Sequence, residues 1–556
     1  MNKKVCSFPI LFALLALLIG TCAVVFPASA QAAPTSTGSI TVSGTVASSY
    51  GAYQIFSANV VDGDSDAKIA TDLAWASDVV RDAALPVLHS AGMPNFQTTA
   101  QEATEWLNTD SHLTSALSAQ LARSLQSSGA VSVALNAGTA AELPCGYWLI
   151  VADDDAIAQG EAGTAPIMAL VGGSAVTVKP KAATPKVSKH VLEDSTAAWQ
   201  KAADATVADD LYWRLSATVP AGLTAYDTYT VRFVDTMSAG LDPSKVAASM
   251  RVYVAAGADG GFDAVSADKD GRAGTEPAKG WTDITAQCAT KVAADGKTFT
   301  VRTGDLVAAL GGADAFTAGA RVVAVYNAPL NSACSHGIAK GNPNEVYLRY
   351  PRSPFADQSS DAGFTRTPSD DACAYTWDLT LTKRGSDGDK PLSGAVLGIA
   401  DDRGRTLAAD GTWDAEGKAT VTTGEDGRVT VSGVDSGKLE VRELKAPKGY
   451  TAFEGTRSVT VKAEGLDVDQ VAAAKPKLTI TAESPLRADS ADGSTGSLEA
   501  SLINTPTGTP PSITTGGFMP STGDMAMYAA AAAAVAGAAL IVVALLVKRG
   551  GGSHKE

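Results

Sequence analysis

Most of the chain consists of short runs in which apolar and polar positions alternate, the pattern of β-strands that bury one face. The alternation is nearly continuous over residues 187–350 and again over 375–504, which predicts two consecutive β-sandwiches. Residues 39–172 instead mix strands with helical periodicity at 72–88 and 100–125. The predicted fold class is therefore mainly β, with tandem Ig-like/β-sandwich domains preceded by an α+β N-terminal domain.

Two apolar segments without alternation lie outside these regions. Lys3-Lys4, an apolar stretch from 10 to 25 and the small residues 28–30 predict a signal peptide over 1–30, so we expect a secreted protein. The apolar run 525–547 is about long enough to cross a bilayer as a helix, and Lys548-Arg549 follows it. This predicts a C-terminal transmembrane helix whose far end is held in the cytoplasm.

A short motif precedes that run, and it consists of Met519, Pro520, Ser521, Thr522 and Gly523. Motif, apolar span and cations together resemble the cell-wall sorting signal of Gram-positive surface proteins, usually Leu-Pro-x-Thr-Gly. Met519 replaces the leucine, an apolar substitution. The resemblance implies that a sortase cleaves between Thr522 and Gly523 and joins Thr522 to an amine. The alternative is an ordinary single-pass C-terminal anchor.

Composition narrows the range of partners and chemistry. A net charge of -15 and only 6% aromatic residues argue against nucleic acid as a partner. None of the histidines sits in a zinc or catalytic-triad signature, so we predict no metal, no cofactor and no enzyme active site. Cysteines beyond the signal peptide are too few for a disulfide framework. One or two bridges can form, and Cys288 with Cys334 is the pair we expect first among Cys145, Cys288, Cys334 and Cys373.

Strand parity brings polar side chains onto inward-facing rows, because residues two apart share a face. In the last β region three apolar rows each end in a polar residue. Lys383 follows Tyr375, Trp377, Leu379 and Leu381. Glu443 follows Leu439 and Val441, and Asn504 follows Leu498, Ala500 and Leu502. The preceding region repeats the order lysine, acid, asparagine. Lys189 lies between Val187 and Val191, and Asp235 follows Tyr229, Val231 and Phe233. Asn344 precedes Val346, Leu348 and Tyr350 on the same face.

Such a trio has a chemical outcome. Burial lowers the pKa of a lysine and raises that of a carboxyl group, so both approach the neutral form. A neutral amine is a nucleophile, and a protonated acid can polarise an amide carbonyl. Attack on the asparagine side chain with loss of ammonia leaves a lysine–asparagine isopeptide bond. The alternative is that these strand-end side chains snorkel to solvent.

Both regions resemble domains of sortase-assembled Gram-positive pilins. The last resembles the collagen-adhesin B-type module, through Leu381-Thr382-Lys383, residues 391–395 and an E box at 443–450. The one before it resembles the fimbrial isopeptide-forming D2 domain, through residues 233–241 and 341–348. The resemblance implies the bonds Lys189–Asn344 with Asp235 as the promoting acid, and Lys383–Asn504 with Glu443. Asn342 is the alternative partner for Lys189, but Gly341 and Pro343 beside it indicate a loop.

Shaft pilins of this family usually carry Tyr-Pro-Lys-Asn between their first and second domains. This chain has Lys179-Pro180-Lys181-Ala182 there, which keeps the proline and one lysine. The resemblance implies that Lys181 attacks Thr522 of a neighbouring subunit. Parity puts Lys181 opposite Val176 and Val178, on the exposed side. Lys179 stays as the alternative nucleophile.

We therefore predict the structural backbone subunit of a covalent, wall-anchored surface pilus that serves adhesion. The partners implied are pilus-specific and housekeeping sortases, copies of itself, minor pilins, peptidoglycan and a host surface ligand. The alternatives are a monomeric wall-anchored adhesin and a surface enzyme. The predicted order is signal peptide 1–30, N-terminal pilin domain 31–180, D2-type sandwich 184–370, B-type sandwich 374–505, spacer 506–518 and sorting signal 519–556 with its helix at 525–547.

Overall fold

The computed structural model describes residues 36–64, 67–109, 111–163, 165–180, 184–220, 223–257, 280–316 and 319–508. The signal peptide, the sorting signal and the predicted transmembrane segment lie outside these residues. Within them the chain is mainly β and divides into an N-terminal α+β domain and two β-sandwiches, as predicted. Among the described residues, no helix combines the length and apolarity needed to cross a bilayer.

The first domain packs helices on one face of a sheet. Its elements are β1 (Thr37–Val42), β2 (Ser49–Asp62), β3 (Lys68–Trp75), α1 (Asp78–Ser90), α2 (Ala100–Asn108), α3 (Ser115–Ser128), β4 (Val133–Asn136), β5 (Ala140–Pro144), β6 (Gly146–Ala152), β7 (Ile167–Val171) and β8 (Val176–Val178). The larger sheet has the order β3-β2-β6-β7, with β4 also paired to β2, and the smaller one has the order β5-β1-β8. The helices bury their apolar side chains against β2 and β6.

The helices differ from their predicted bounds in two places. The helical pattern at 72–88 begins inside β3, and α1 starts only after Ser77, whose side chain accepts a hydrogen bond from the backbone of Val80. The predicted helix 100–125 is two helices. The first, α2, starts after Thr99, which forms a capping box with Glu102, and it ends at Asn108. Thr114 then caps α3. The polar residues between α2 and α3 interrupt the apolar stripe, and a second N-cap restarts it.

The second domain is a sandwich of two sheets. Its elements are β9 (Val187–Glu193), β10 (Ala198–Gln200), β11 (Ala202–Asp204), β12 (Tyr212–Thr218), β13 (Arg232–Met237), α4 (Val246–Ser249), β14 (Arg251–Ala255), β15 (Thr282–Asp283), β16 (Ala289–Val292), β17 (Thr298–Arg302), α5 (Leu306–Ala309), β18 (Arg321–Asn327), β19 (Asn342–Pro351), β20 (Phe364–Arg366) and β21 (Asp370–Tyr375). One sheet has the order β10-β9-β12-β18-β14-β15. The other has the order β11-β21-β19-β13-β17-β16, with β20 paired to β19.

The third domain is also a sandwich. Its strands are β22 (Trp377–Gly385), β23 (Val396–Ala400), β24 (Thr406–Leu407), β25 (Trp413–Asp414), β26 (Val421–Thr422), β27 (Arg428–Val434), β28 (Gly437–Lys445), β29 (Tyr450–Thr451), β30 (Thr456–Glu464), β31 (Lys477–Ala482), β32 (Leu486–Asp492) and β33 (Ser497–Pro506). One sheet has the order β27-β22-β33-β29, with β32 paired to β33. The facing sheet has the order β25-β24-β23-β28-β30-β31, with β26 paired to β23. The first strand, β22, and the last, β33, are parallel neighbours.

The second and third domains are in direct contact. Strand β21 pairs with β19 and β11, so the sheet of the second domain extends to Tyr375, beyond the predicted boundary at 370. Trp377, at the start of β22, donates its indole N–H to Asp204 of the second domain over 2.6 Å. Arg405 of the third domain forms an ion pair with Asp209 over 2.5 Å. A hydrogen bond and an ion pair thus connect the two sandwiches at their junction.

The expected disulfide between Cys288 and Cys334 is not formed. All four cysteines of the described residues are free. The Cys288 thiol donates to the carbonyl of Ile284 over 3.3 Å, whereas the Cys334 sulfur lies 3.5 Å from Nε2 of His336. Each sulfur is thus engaged by its own local neighbour. Because burial raises the pKa of both thiols to about 11, neither has the thiolate that disulfide exchange requires.

Candidate functional site

The structure brings the predicted residues of the second domain together in the middle of its core. Lys189 on β9, Asp235 on β13 and Asn344 on β19 are all fully buried. The lysine comes from one sheet, while the acid and the asparagine come from adjacent strands of the facing sheet. Lys189 Nζ forms an ion pair with Asp235 Oδ2. The snorkelling alternative therefore does not describe this lysine, whose ammonium has no route to solvent.

Tyr326 is a fourth member of this group that sequence reasoning missed. Its hydroxyl oxygen accepts a hydrogen bond from Lys189 Nζ over 2.8 Å and another from Asn344 Nδ2 over 2.8 Å, and it donates to Asp235 Oδ2 over 3.0 Å. Because both nitrogens donate to the same oxygen, Lys189 Nζ and Asn344 Nδ2 are separated by no more than the sum of their two 2.8 Å hydrogen bonds. One hydroxyl thus holds the amine, the acid and the amide in contact.

The electrostatics of this group favour neutral partners. Burial lowers the pKa of Lys189 to about 8 even though the Asp235 carboxylate opposes the shift. Burial also raises the pKa of Asp235, partly offset by Lys189. The two pKa values move towards each other, so transfer of a proton from the amine to the acid becomes less costly than it is in water. A neutral amine beside a protonated carboxyl group is therefore easier to reach here than in water.

The third domain contains a second group with a different arrangement. Lys383 on β22 and Asn504 on β33 lie on neighbouring strands of one sheet, and Glu443 on β28 faces them from the other. Glu443 Oε1 accepts a hydrogen bond from Asn504 Nδ2 over 2.8 Å and lies 3.5 Å from Lys383 Nζ. Its other oxygen accepts the backbone N–H of Phe453 over 3.0 Å. One carboxyl oxygen therefore bridges the amine and the amide.

Burial also disfavours the charged form of Lys383. Its side chain is inaccessible to solvent, and burial lowers its pKa to about 8 against the attraction of Glu443. Its ammonium also donates to the carbonyl of Leu502, the residue opposite it on β33, over 3.3 Å. In both groups the asparagine Oδ1 has no hydrogen-bond partner among the described residues. Such an unpaired buried acceptor costs about 1–3 kcal/mol, so both amides sit in unfavourable surroundings.

The alternative partner, Asn342, has a different role. It lies at the start of β19, not in a loop as its neighbours indicated. Its amide forms hydrogen bonds with the backbone N–H and carbonyl of Ser335 over 2.8 and 2.9 Å and donates to the carbonyl of Ala374 over 3.2 Å. These bonds fix the loop before β19 to β21. Since its polar atoms are all satisfied and none of its bonds involves Lys189, Asn344 is the better partner.

The predicted lysines of the interdomain connection are only partly described. Lys181 and the sorting-signal residues, including Thr522, lie outside the described residues. Lys179 directly follows β8 and is exposed, whereas Val178 before it is buried. Val178 and Lys179 thus point to opposite sides, as strand parity requires, and Lys179 is accessible at the surface.

The lowered pKa of Lys383 predicts a pH-dependent stability. Asn504→Ala removes the amide that Lys383 is predicted to attack, so this variant has a free lysine amine. Its pKa is about 8 in the folded state and 10.5 in the unfolded state, so between these values the unfolded chain binds more protons. The free energy of unfolding should then rise by up to about 1.4 kcal/mol per pH unit from pH 8 to 10.5. Urea unfolding at several pH values measures this, with Asn504→Ala/Lys383→Met as the control; equal pH dependence in the two variants would contradict it.

Comparison with known proteins agrees with the resemblance to Gram-positive pilins. Residues 378–475 match the family model described as SpaA, prealbumin-like fold domain. The trypsin-resistant surface T6 protein of Streptococcus pyogenes serotype M6 is 30% identical over 143 residues, and the match spans 24% of either chain. The T6 backbone pilin structure from the same serotype covers 85% of this chain and 98% of its own at 17% identity and a TM-score of 0.46. The full-length major pilin SpaD of Corynebacterium diphtheriae gives the same coverage at 15% identity and a TM-score of 0.40.

Proposed function

We propose that this chain is the backbone subunit of a covalent surface pilus, joined head to tail by a sortase and braced by two internal lysine–asparagine isopeptide bonds. The bonds link Lys189 to Asn344 and Lys383 to Asn504. The protein is a structural subunit, and its only chemistry is one bond-forming event within each sandwich. The observation that carries the proposal is the occurrence of two buried groups of lysine, acid and asparagine in one chain.

The physical reason for the reaction is the cost of the unreacted state. An ion pair buried without solvent recovers its desolvation penalty only when geometry and hydrogen bonding are nearly ideal. Here Asp235 Oδ1 and both asparagine Oδ1 atoms have no hydrogen-bond partner among the described residues. Converting the ammonium and carboxylate into an amide and a neutral acid removes both charges at once. The reaction thus removes the electrostatic cost of burying these charged groups during folding.

The proposed step balances as follows. The acid takes a proton from the lysine, and the neutral Nζ attacks the side-chain carbonyl carbon of the asparagine. The protonated acid, Asp235 or Glu443, donates to the amide oxygen and stabilises the tetrahedral intermediate. Breakage of the bond to Nδ2, which receives a second proton from Nζ by way of the acid, releases ammonia and leaves the acid protonated. In the second domain the Tyr326 hydroxyl contacts every participating side chain and orients them.

The two bonds would brace their domains differently. Lys189 and Asn344 belong to facing sheets, so their bond crosses the core and fixes the two layers of the sandwich together. Lys383 and Asn504 belong to adjacent strands of one sheet, so their bond joins the first strand of the third domain to its last. Both bonds close long segments of chain, which is the case in which a crosslink restricts the unfolded state most.

Assembly between subunits follows the sorting-signal chemistry. A pilus-specific sortase cleaves after Thr522 and holds that residue as a thioester, and Lys181 of another subunit attacks it. Repetition joins one end of each subunit to a different patch on the next, which generates an open filament. A housekeeping sortase then attaches the base of the filament to peptidoglycan, and the finished pilus serves adhesion. Lys179 is the alternative acceptor, supported by its exposure beside β8.

The intact mass of the secreted protein tests the internal bonds. We expect it to fall short of the sequence mass by two molecules of ammonia. Asp235→Ala and Glu443→Ala should each restore one of them. Asn344→Ala should also restore one, whereas Asn342→Ala, the matched control on the same strand, should leave both missing. A full sequence mass for the wild-type protein would refute the proposal.

A further inference from the structure

An unusual row of arginines crosses the outer face of the second domain. Arg302 on β17, Arg232 on β13, Arg349 on β19 and Arg366 on β20 are successive register partners across four adjacent strands. On each strand the residues next to the arginine point into the core, so the four arginine side chains share the outer surface. Strands lie about 4.8 Å apart, and the row is therefore about 14 Å long. We call it the arginine row.

Such an arrangement is unfavourable without anions. Like charges directly opposite each other on neighbouring strands are destabilising. Within the described residues, Asp361 is the carboxylate that compensates the row, and it forms ion pairs with Arg232 over 2.5 Å and with Arg349 over 3.1 Å. Arg302 and Arg366, at the two ends, are exposed and form no ion pair with a described residue. The row keeps excess positive charge although the chain carries a net charge of -15.

A recess extends the row at one end. It has a volume of about 400 Å³, and its lining includes Arg349, Arg352 and Arg366 but no acidic side chain. Gln159 and Tyr347 also line it, and they can supply uncharged hydrogen-bond donors. The Nε of Arg352 has no acceptor among the described residues. The recess thus offers donors and positive charge for the end of an anionic ligand.

The two aromatic rings beside the row are already occupied. The guanidinium of Arg232 lies over the ring of Phe364, 4.0 Å from its centroid, and that of Arg366 lies over Tyr347 at 5.2 Å. Nucleic-acid surfaces use free aromatic faces to stack bases. These faces are covered by cations, so the surface presents charge and hydrogen-bond donors without a stacking platform. That combination suits a polymer whose anionic groups project from rings that need not stack.

We infer that the arginine row and its recess bind an extended anionic polysaccharide, one that carries sulfate or carboxylate groups along its length. Guanidinium groups pair with these anions in bidentate geometry. Acidic residues elsewhere on the protein do not prevent binding, because at physiological ionic strength charges more than about 8 Å away are largely screened. The proposal concerns a surface separate from the internal bonds, and it does not depend on pilus assembly.

Binding of the secreted protein to four polymers tests the inference. Heparin carries sulfate and carboxylate groups, hyaluronan carries carboxylates only, dextran is neutral, and a single-stranded oligonucleotide is a phosphate polyanion. We expect heparin to bind and dextran not to bind. Equal binding of hyaluronan assigns the recognition to carboxylates, and binding of heparin alone assigns it to sulfates; both results support the inference.

Substitution at the two unpaired ends of the row supplies the decisive comparison. Arg302→Gln/Arg366→Gln should weaken heparin binding by about tenfold to thirtyfold and reduce the slope of log affinity against log salt by about two. Lys438→Gln/Lys462→Gln removes the same charge from exposed sites of the third domain and should change neither. Absence of heparin binding, equal loss in the control, or oligonucleotide binding as tight as heparin would each overturn the inference.

Discussion

Glu443→Ala is expected to leave the third domain uncrosslinked and to lower its thermal unfolding midpoint on the order of 20 °C. A crosslink that closes about a hundred residues stabilises by roughly 5 kcal/mol if it acts like a disulfide. A domain of this size loses roughly 3–6 °C per kcal/mol. The variant also leaves Lys383 buried without its carboxylate partner, which adds to the loss. Calorimetry of the secreted protein, with intact mass on the same sample, measures both effects.

The strand itself provides the control for this prediction. Glu440 lies on β28 three residues before Glu443, but it is exposed and pairs with Lys438. Glu440→Ala should leave both the mass and the midpoint unchanged. If Glu443→Ala fails to fold, Glu443→Gln keeps the side-chain volume and a hydrogen-bond acceptor while removing the acid. A Glu443→Gln protein that still lacks two molecules of ammonia would contradict the role assigned to the acid.

Lys181→Ala is expected to abolish the ladder of covalent multimers in cell-wall extracts. A missing ε-amine leaves the Thr522 acyl-enzyme without its acceptor on the next subunit, so chains cannot lengthen beyond the monomer. Immunoblots of wall extracts from cells that express the native sortases measure the result directly. Mass spectrometry of the wild-type ladder should identify a branched peptide in which Thr522 is joined to Lys181.

Lys179→Ala is the matched control, since it removes the same charge two residues away. It should leave the ladder intact. The reverse result, with a ladder lost in Lys179→Ala and kept in Lys181→Ala, would assign the linkage to the exposed lysine beside β8. A wild-type protein found only as wall-linked monomer would support the monomeric adhesin. Neither outcome would affect the intact-mass test, because the proposed internal bonds require no sortase.

Strand parity predicted the candidate site because its strands have one polar and one apolar face. On β28 the inward residues Leu439, Val441 and Glu443 are buried, and the residues between them are exposed. The same alternation holds on β19 from Asn344 to Tyr350. Wherever one face contacts water, the period of two identifies inward polar residues from sequence alone. The family match at 378–475 agrees with the motifs that indicated a pilin domain.

Parity could not identify Tyr326. Residues 322–327 of β18 are all buried, so this strand has no solvent face and the alternation disappears. A tyrosine in such a run is indistinguishable from an ordinary core residue until the facing sheet is known. The expected disulfide failed for a related reason, because pairing depends on three-dimensional proximity that cysteine spacing does not encode. The single predicted helix at 100–125 failed because local caps outweighed the apolar period.

The parallel pairing of β22 with β33 bears on how the proposed fibre would respond to tension. Lys383 lies near the end of β22, and Asn504 lies near the end of β33, two residues before that strand finishes. With the proposed bond in place, a pull that enters at Trp377 travels along β22, crosses to Asn504 and leaves at Pro506. Residues 384–503 are outside this load path. In the proposed filament, shear flow on an attached cell would therefore not lengthen the fibre by unfolding this domain. The loops within residues 384–503 could change in sequence without weakening the covalent connection.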